Sequence, residues 1–481
     1  MKKILLMLIL ANTSLQAIAD TDWETAVATS NEKSLPLVQL NVDVSKLTKE
    51  EYIPGQITIY DPEKRVDGLL CDTFDCKLRY RGASSLKYEK KSFAVKLLDT
   101  EGDDLDANFF NIRKENDWIL DAMAVDRIRM RNRVCFDLWN EISKTPYPTD
   151  FDNRNGTKGE YVEVYLNGAY HGLYCMSDKI DRKLLGLKKV KENTDSNVII
   201  RGVLYKGEAW SAATQFGGYD KQESMDSETW NGWELQYPDD YPCEEAWSPL
   251  QQLIDCCSGN VSLFANEYKN RFYPDNLRDY MLFLMSLNII DNNMKNTHIS
   301  CPNIQEYQVF LITPWDLDCS LGGLYDGSHY EAYTTLSNLT NNRIYDHLYT
   351  NDVDGFRDDM KRRWTELSVS TLSMEHVYGK MDAYASKMKE SGAWQREYEK
   401  WNNNPVPLNL DEELQYVKDW YAQNLKILDE ILGTDTSIQD MPASTDPKNV
   451  DTYTLDGIKR RINRNSNCYI IGNRKVIKKL F

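Results

Sequence analysis

Three separated groups of residues carry the side chains that phosphoryl transfer asks for, which are phosphate-binding donors, a cation and hard oxygen ligands. Arg81-Gly82-Ala83-Ser84-Ser85 reads as a turn between two strands. Gly82 lets the backbone come close to a ligand there, and Ser84 and Ser85 add hydroxyls that can face phosphate oxygens. Next comes Lys90-Lys91-Ser92-Phe93-Ala94-Val95-Lys96-Leu97. In an alternating strand Phe93, Val95 and Leu97 face one side while Ala94 and Lys96 face the other, so Lys96 sits beside a small residue that leaves space for a ligand. Its ammonium could act as a point charge on phosphates, with Lys91, nearer the serine turn, as the alternative. The third group is Asp291-Asn292-Asn293-Met294-Lys295-Asn296 at the end of an apolar helix, followed by Pro314-Trp315-Asp316-Leu317-Asp318. Carboxylates joined by an amide oxygen suit Mg²⁺ or Mn²⁺. Taken singly, each group has an ordinary reading as a hairpin turn, a solvated edge lysine or a helix cap. Their combination in this order favours chemistry.

The spacing within the third group is informative. Asp291 and Asn296 are separated as a protein-kinase catalytic loop separates its base from a metal ligand, and Asp316 follows after a strand. Ala94 and Lys96, on a strand after a small-residue loop, also resemble the ATP-contacting strand of protein kinases.

These groups need elements to hold them. Residues from about 35 to 205 are strand-rich: 35–44, 56–60, 77–81, 92–98, 161–166, 172–176 and 198–205 show alternation or β-branched and aromatic enrichment. One helix, 126–142, interrupts them, giving an antiparallel sheet with a helix laid on it. Arg131 falls within that helix's apolar stripe and needs a partner if buried. From about 245 the pattern turns helical, with candidates at 247–257, 263–270, 275–290, 354–367, 372–389 and 411–432, and with 308–313 as the only strand. Strands first and helices second predict an α+β molecule with two lobes, one strand-rich at about 35–181 and one helical at about 182–433.

The chain has 481 residues, 57 basic against 74 acidic, for a net charge of −17. That balance argues against nucleic acid or anionic lipid as a partner. Residues 1–19 read as a cleavable export signal: Lys2 and Lys3, an apolar run from Ile4 to Leu10, then Ala17-Ile18-Ala19. No run is long enough for a membrane span. Export, to a secreted, periplasmic or surface location, permits disulfides among the 10 cysteines, and Cys71 with Cys76 could close a local loop. Residues 434–450 read as a linker. Residues 451–481 form a short, basic, alternating tail that resembles the C-terminal segments of exported Bacteroidetes proteins, some of which are sorting signals.

At this point the chain resembles the CotH family of secreted, atypical protein kinase-like proteins. The resemblance rests on Tyr80 to Ser85, Lys90 to Leu97, Asp117-Trp118-Ile119-Leu120 with Asp126 and Arg131-Asn132, Tyr170-His171-Gly172, Leu204-Tyr205-Lys206, Asp291 to Asn296 and Pro314 to Asp318. It spans roughly 35–430 and implies a two-lobed atypical kinase-like fold over 20–433. It also implies that Asp291 is the base or orienter for an acceptor hydroxyl, that Asp316 with Asn296 and Asp318 forms the metal shell, and that Lys96 or Lys91 with Arg81 to Ser85 grips phosphate. Ser177 to Asp181 would be the hinge that meets adenine. The implied activity is transfer of a phosphoryl group from ATP, with Mg²⁺ or Mn²⁺, to Ser or Thr of exported proteins. The alternative is a non-catalytic, kinase-like surface scaffold for adhesion or glycan binding, with Tyr219, Trp230 and Trp233 as an aromatic platform.

Overall fold

The computed structural model describes residues 22–434, apart from 193–197, 223 and 294, together with 452–453, 468–471 and 474–477. The export signal expected at 1–19 and almost all of the linker expected at 434–450 lie outside the described residues. The chain up to Asp435 forms one compact unit and Thr436–Phe481 another. In the second unit, Thr452–Tyr453, Cys468–Ile471 and Arg474–Ile477 pair as a three-stranded antiparallel sheet.

The first unit is mixed α and β, strand-rich towards its N-terminus and helical towards its C-terminus. Its first seven long strands are β1 (Leu37–Val42), β2 (Ile53–Tyr60), β3 (Cys71–Arg81), β4 (Ser92–Leu98), β5 (Asp117–Asp121), β6 (Gly159–Leu166) and β7 (Ala169–Ser177). They do not form the wholly antiparallel sheet expected from sequence. They close into a barrel in the order β1-β2-β3-β4-β5-β7-β6, and the parallel pairing of β1 with β6, Leu37 opposite Glu163, completes the ring. The alternation explains why: Val38, Ile57, Leu78, Val95, Trp118 and Val164 all turn inward and are fully buried, so the twisted sheet hides its apolar face by curling on itself. Cys71 and Cys76 do not flank a turn. They lie on one continuous strand, β3, the first exposed and the second buried, and both thiols are free.

Helix α1 (Arg131–Ile142) starts five residues later than expected. Asp126 explains this, because its carboxylate accepts the N–H groups of Ile128 (3.1 Å), Met130 (2.7 Å) and Arg131 (2.7 Å) and so ends the preceding turn. The buried Arg131 finds its partner in Asp126 at 2.5 Å. The apolar residues of α1 join the larger core of the C-terminal part and not the barrel interior.

A second sheet contains β8 (Val203–Gly207), β9 (Thr229–Trp230), β10 (Trp233–Tyr237), β11 (Thr297–Cys301) and β12 (Leu311–Pro314), in the order β9-β10-β8-β11-β12. Strand β11 was not expected. The longer helices of this part are α2 (Glu244–Ser258), α3 (Pro274–Leu287), α4 (Phe356–Leu367), α5 (Met374–Glu390), α6 (Ala393–Trp401), which packs on β7 of the barrel, and α7 (Leu410–Leu432). Helix α3 is buried on almost every side and packs against α4, α7 and β12. Trp230 and Trp233 form no surface platform, because both are core side chains, 2% and 1% exposed. Among the described residues no helix is long and apolar enough to cross a membrane.

Candidate active site

A cavity of about 230 Å³ lies against the outer face of the barrel. Ser92 of β4, Ile119 and Asp121 of β5 and Ser177 of β7 form one wall; the turn Arg81–Ser85, the segment Ala122–Asp126, the start of α1 and two loops of the C-terminal part form the others. Eight of the residues singled out from sequence meet here: Arg81, Gly82, Ser84, Ser85, Asp291, Asn296, Asp316 and Asp318.

The β3–β4 turn depends on its glycine. Gly82 has φ +119°, and a Cβ there would come within 2.2 Å of Ser85 Oγ. Lys91 is used to hold this turn, since its Nζ donates to the carbonyls of Leu86 (2.8 Å) and Tyr88 (2.6 Å). Its ammonium does not line the cavity. Lys96 does not line it either. It shares the outward face of Ser92 but lies four residues further along β4, about 13 Å of strand rise. There its Nζ is 3.7 Å from Asp117 and lies over the Tyr52 ring. The face expected for Lys96 is correct, and distance along the strand removes it from the other groups. Arg81, whose guanidinium lies 5.5 Å from the centre of the Trp315 ring, and Lys295, paired with Asp291 at 3.1 Å, line the cavity as cations.

The two acidic loops are zipped together. Helix α3 ends in left-handed Asn288, after which Asp291–Asn293 make one short turn. Asn292 Nδ2 donates to the carbonyls of Asn296 (2.7 Å) and Trp315 (2.6 Å), and Trp315 N donates to Asn296 O (2.9 Å). Asn296 and Asp316 both have positive φ, 55° and 56°. Non-glycine residues keep that backbone only where neighbouring contacts fix it, as at functional turns. Asn132, from the first turn of α1, ties the loops to the barrel: its Nδ2 donates to Asp121 Oδ2 (3.2 Å) and its Oδ1 accepts from Leu317 N (3.0 Å).

The cavity holds an excess of negative charge. Asp316 opens onto it, yet the surrounding protein strips water from its carboxyl and nearby Asp121 repels its charge, so its pKa is raised; Arg81 and Lys206 offset this in part. Loss of hydration, then the charges of Asp316 and Asp121, drive the Asp318 carboxyl well above the usual carboxylate range. The carboxylates of Asp316 and Asp318 with the Asn296 amide are a hard-oxygen donor set, and a divalent cation would relieve the repulsion between them. Among the described residues no three carboxylate, thiol or imidazole groups form a closed metal cage. Two carboxylates and an amide could hold an ion such as Mg²⁺ only with water completing its shell.

Sequence reasoning assigned no role to Asp121, Ser92 or Asn132. Asn132 does belong to the matched Arg131-Asn132 pair, and Asp121 directly follows Asp117-Trp118-Ile119-Leu120, so the signal was adjacent. Of the expected hinge, only Ser177 reaches the cavity. Asp178 is buried against Arg154 (2.5 Å) and Arg113 (2.9 Å), and Asp181 lies 2.6 Å from Arg113.

The family model described as CotH kinase protein matches residues 78–428, most of the chain. The chain belongs to the CotH kinase family. The CotH match begins within β3 and ends within α7, so it takes in every residue of the cavity. A search of curated proteins finds no match.

Proposed function

We propose that this CotH protein is an exported protein kinase that transfers a phosphoryl group from Mg-ATP to Ser or Thr hydroxyls of secreted or surface proteins. The observation that carries this reading is the meeting, in one cavity, of a glycine-dependent turn and two acidic loops that are more than 200 residues away in sequence. Backbone groups of Gly82–Ser85 and the Arg81 guanidinium would take phosphate oxygens, as a small-residue turn allows. Asp316, Asp318 and Asn296 would hold Mg²⁺, which would supply charge neutralisation between phosphates. Asp291 would orient the acceptor hydroxyl and receive its proton. An atypical, two-lobed kinase arrangement is the fold-level counterpart of this reading, with the barrel as one lobe and the second sheet with its helices as the other.

Label transfer from radioactive ATP to proteins of the exported fraction tests it. Asp291→Ala and Asp316→Ala should each lower transfer at least 100-fold with unfolding temperatures within a few degrees of wild type. Undiminished transfer in both variants overturns the reading. Lys91 and Lys96 lying outside the cavity favours the second reading, a kinase-like scaffold without catalysis. Such a scaffold predicts no rise in unfolding temperature with Mg-ATP, whereas a binding site filled at 100 times its Kd gains about 2.7 kcal/mol.

A further inference from the structure

We infer that Glu397, a residue of α6 that does not line the cavity, is the positioning residue that fixes two of the cavity's walls through Lys90 and Arg129. The inference rests on the kinase reading for its consequence in activity, but its geometry stands alone. Glu397 Oε1 accepts from Lys90 Nζ (2.6 Å) and from Arg129 Nε (2.8 Å), and Oε2 accepts from Leu173 N (2.8 Å). The side chains of all three charged residues are wholly shielded from solvent. Each cation then continues to a different wall. Lys90 lines the cavity itself, two residues before Ser92, and its ammonium also donates to Leu173 O (2.6 Å). Arg129 Nη1 donates to the carbonyls of Met123 (2.7 Å), Ala124 (2.8 Å) and Asp126 (2.8 Å), three residues of the lining segment.

That segment requires holding. Met123 and Arg129 both have positive φ, 50° and 55°, a backbone that non-glycine residues keep only when surrounding contacts over-determine it. The matched Tyr170-His171-Gly172 motif, to which no chemistry was assigned, is explained by the same node. Gly172 has φ +144°, and a Cβ there would lie 2.8 Å from Trp401 Nε1, 2.9 Å from Glu397 Oε2 and 3.0 Å from Lys90 Cε. Glycine lets the barrel strand approach α6, and Trp401 Nε1 fastens the approach by donating to His171 O (2.7 Å). Losing the carboxylate would leave two buried cations facing each other without compensation, and the two walls would be free to separate.

The test compares Glu397→Gln with Trp364→Phe, a core change far from the cavity that removes the hydrogen bond from Trp364 to Asp429. In ligand-free protein, hydrogen exchange at residues 82–86 and 122–130 should speed up at least tenfold in Glu397→Gln, with β1 and β2 unchanged. Trp364→Phe should leave both segments at wild-type rates. In the transfer assay the KM for ATP should rise at least tenfold in Glu397→Gln while the KM for the acceptor stays within twofold. Exchange that is unchanged in those segments, or raised equally by both substitutions, overturns the inference. If Glu397→Gln does not fold, Glu397→Asp keeps the charge one methylene short, and the same exchange comparison decides. If wild-type protein shows no Mg-ATP binding, the kinase reading fails, and the exchange result still decides the positioning role.

Discussion

The cavity and the ion-paired cluster beside it, built around Asp178 and Asp181, are both rich in carboxylates, and the protein treats them in opposite ways. In the cluster, Asp178 and Asp181 are matched by Arg113 and Arg154 at 2.5 to 2.9 Å, and Lys183 reaches Glu115 at 3.2 Å. In the cavity, among the described residues no lysine or arginine lies within ion-pair distance of Asp316 or Asp318, and both carboxyls are pushed up. Fixed guanidinium partners make acidic residues into architecture. Acidic residues left without them form a site that gains from a mobile counter-ion.

The sharpest way to break this comparison is to remove one acid from each region. Asp178→Ala should strand Arg154 as a buried unpaired cation, while Arg113 keeps Asp181 and Glu115, and cost about 3–5 kcal/mol in chemical denaturation. Asp318→Asn should do the reverse in metal-free protein, stabilising it by on the order of 1 kcal/mol by removing a repelled charge. If the site takes Mg²⁺ as proposed, the ion should raise the unfolding temperature of wild type, and the same variant should lose that rise. Equal destabilisation by both substitutions would erase the distinction.

A smaller effect concerns His171, whose pKa burial, helped by the charges of Lys90 and Lys400, lowers to about 4. The unfolded chain binds this proton below about 6.5 and the folded chain only below about 4. Stability should therefore fall as pH drops through that window, by on the order of 1 kcal/mol per pH unit from this group. His171→Phe should flatten the slope of denaturation midpoint against pH between 4 and 6.5. An unaltered slope would mean that the imidazole is not held neutral.

Sequence made some of this legible for physical reasons. Strand β4 was read with its observed limits because Phe93, Val95 and Leu97 alternate with smaller or polar residues, the mark of one buried face. The burial of Arg131 implied a partner, and Asp126 is that partner. Strand β11 escaped because all five of its residues are buried, including His298 and Ser300, so no alternation exists to read. Helix α6 escaped because it has only nine residues and its N-terminal Gly392 provides no side-chain cap. The acidic loops were found by spacing, which depends on local chain geometry. Lys96 falls outside the cavity because facing can be read from alternation, whereas the distance between a strand position and a remote loop is set only by tertiary packing.

The parallel closure of the barrel bears on where this protein can be cut. Strands β1 and β2 precede the matched range 78–428, so a fragment trimmed to that range would keep every residue that lines the cavity while losing β1, β2 and the first seven residues of β3 from the barrel. The unpaired backbone of the β3 stub, of β4 and of β6 would then be left as open edges, ready to recruit strands from other molecules. Such a fragment should come out as aggregate, and its inactivity would say nothing about the intact protein.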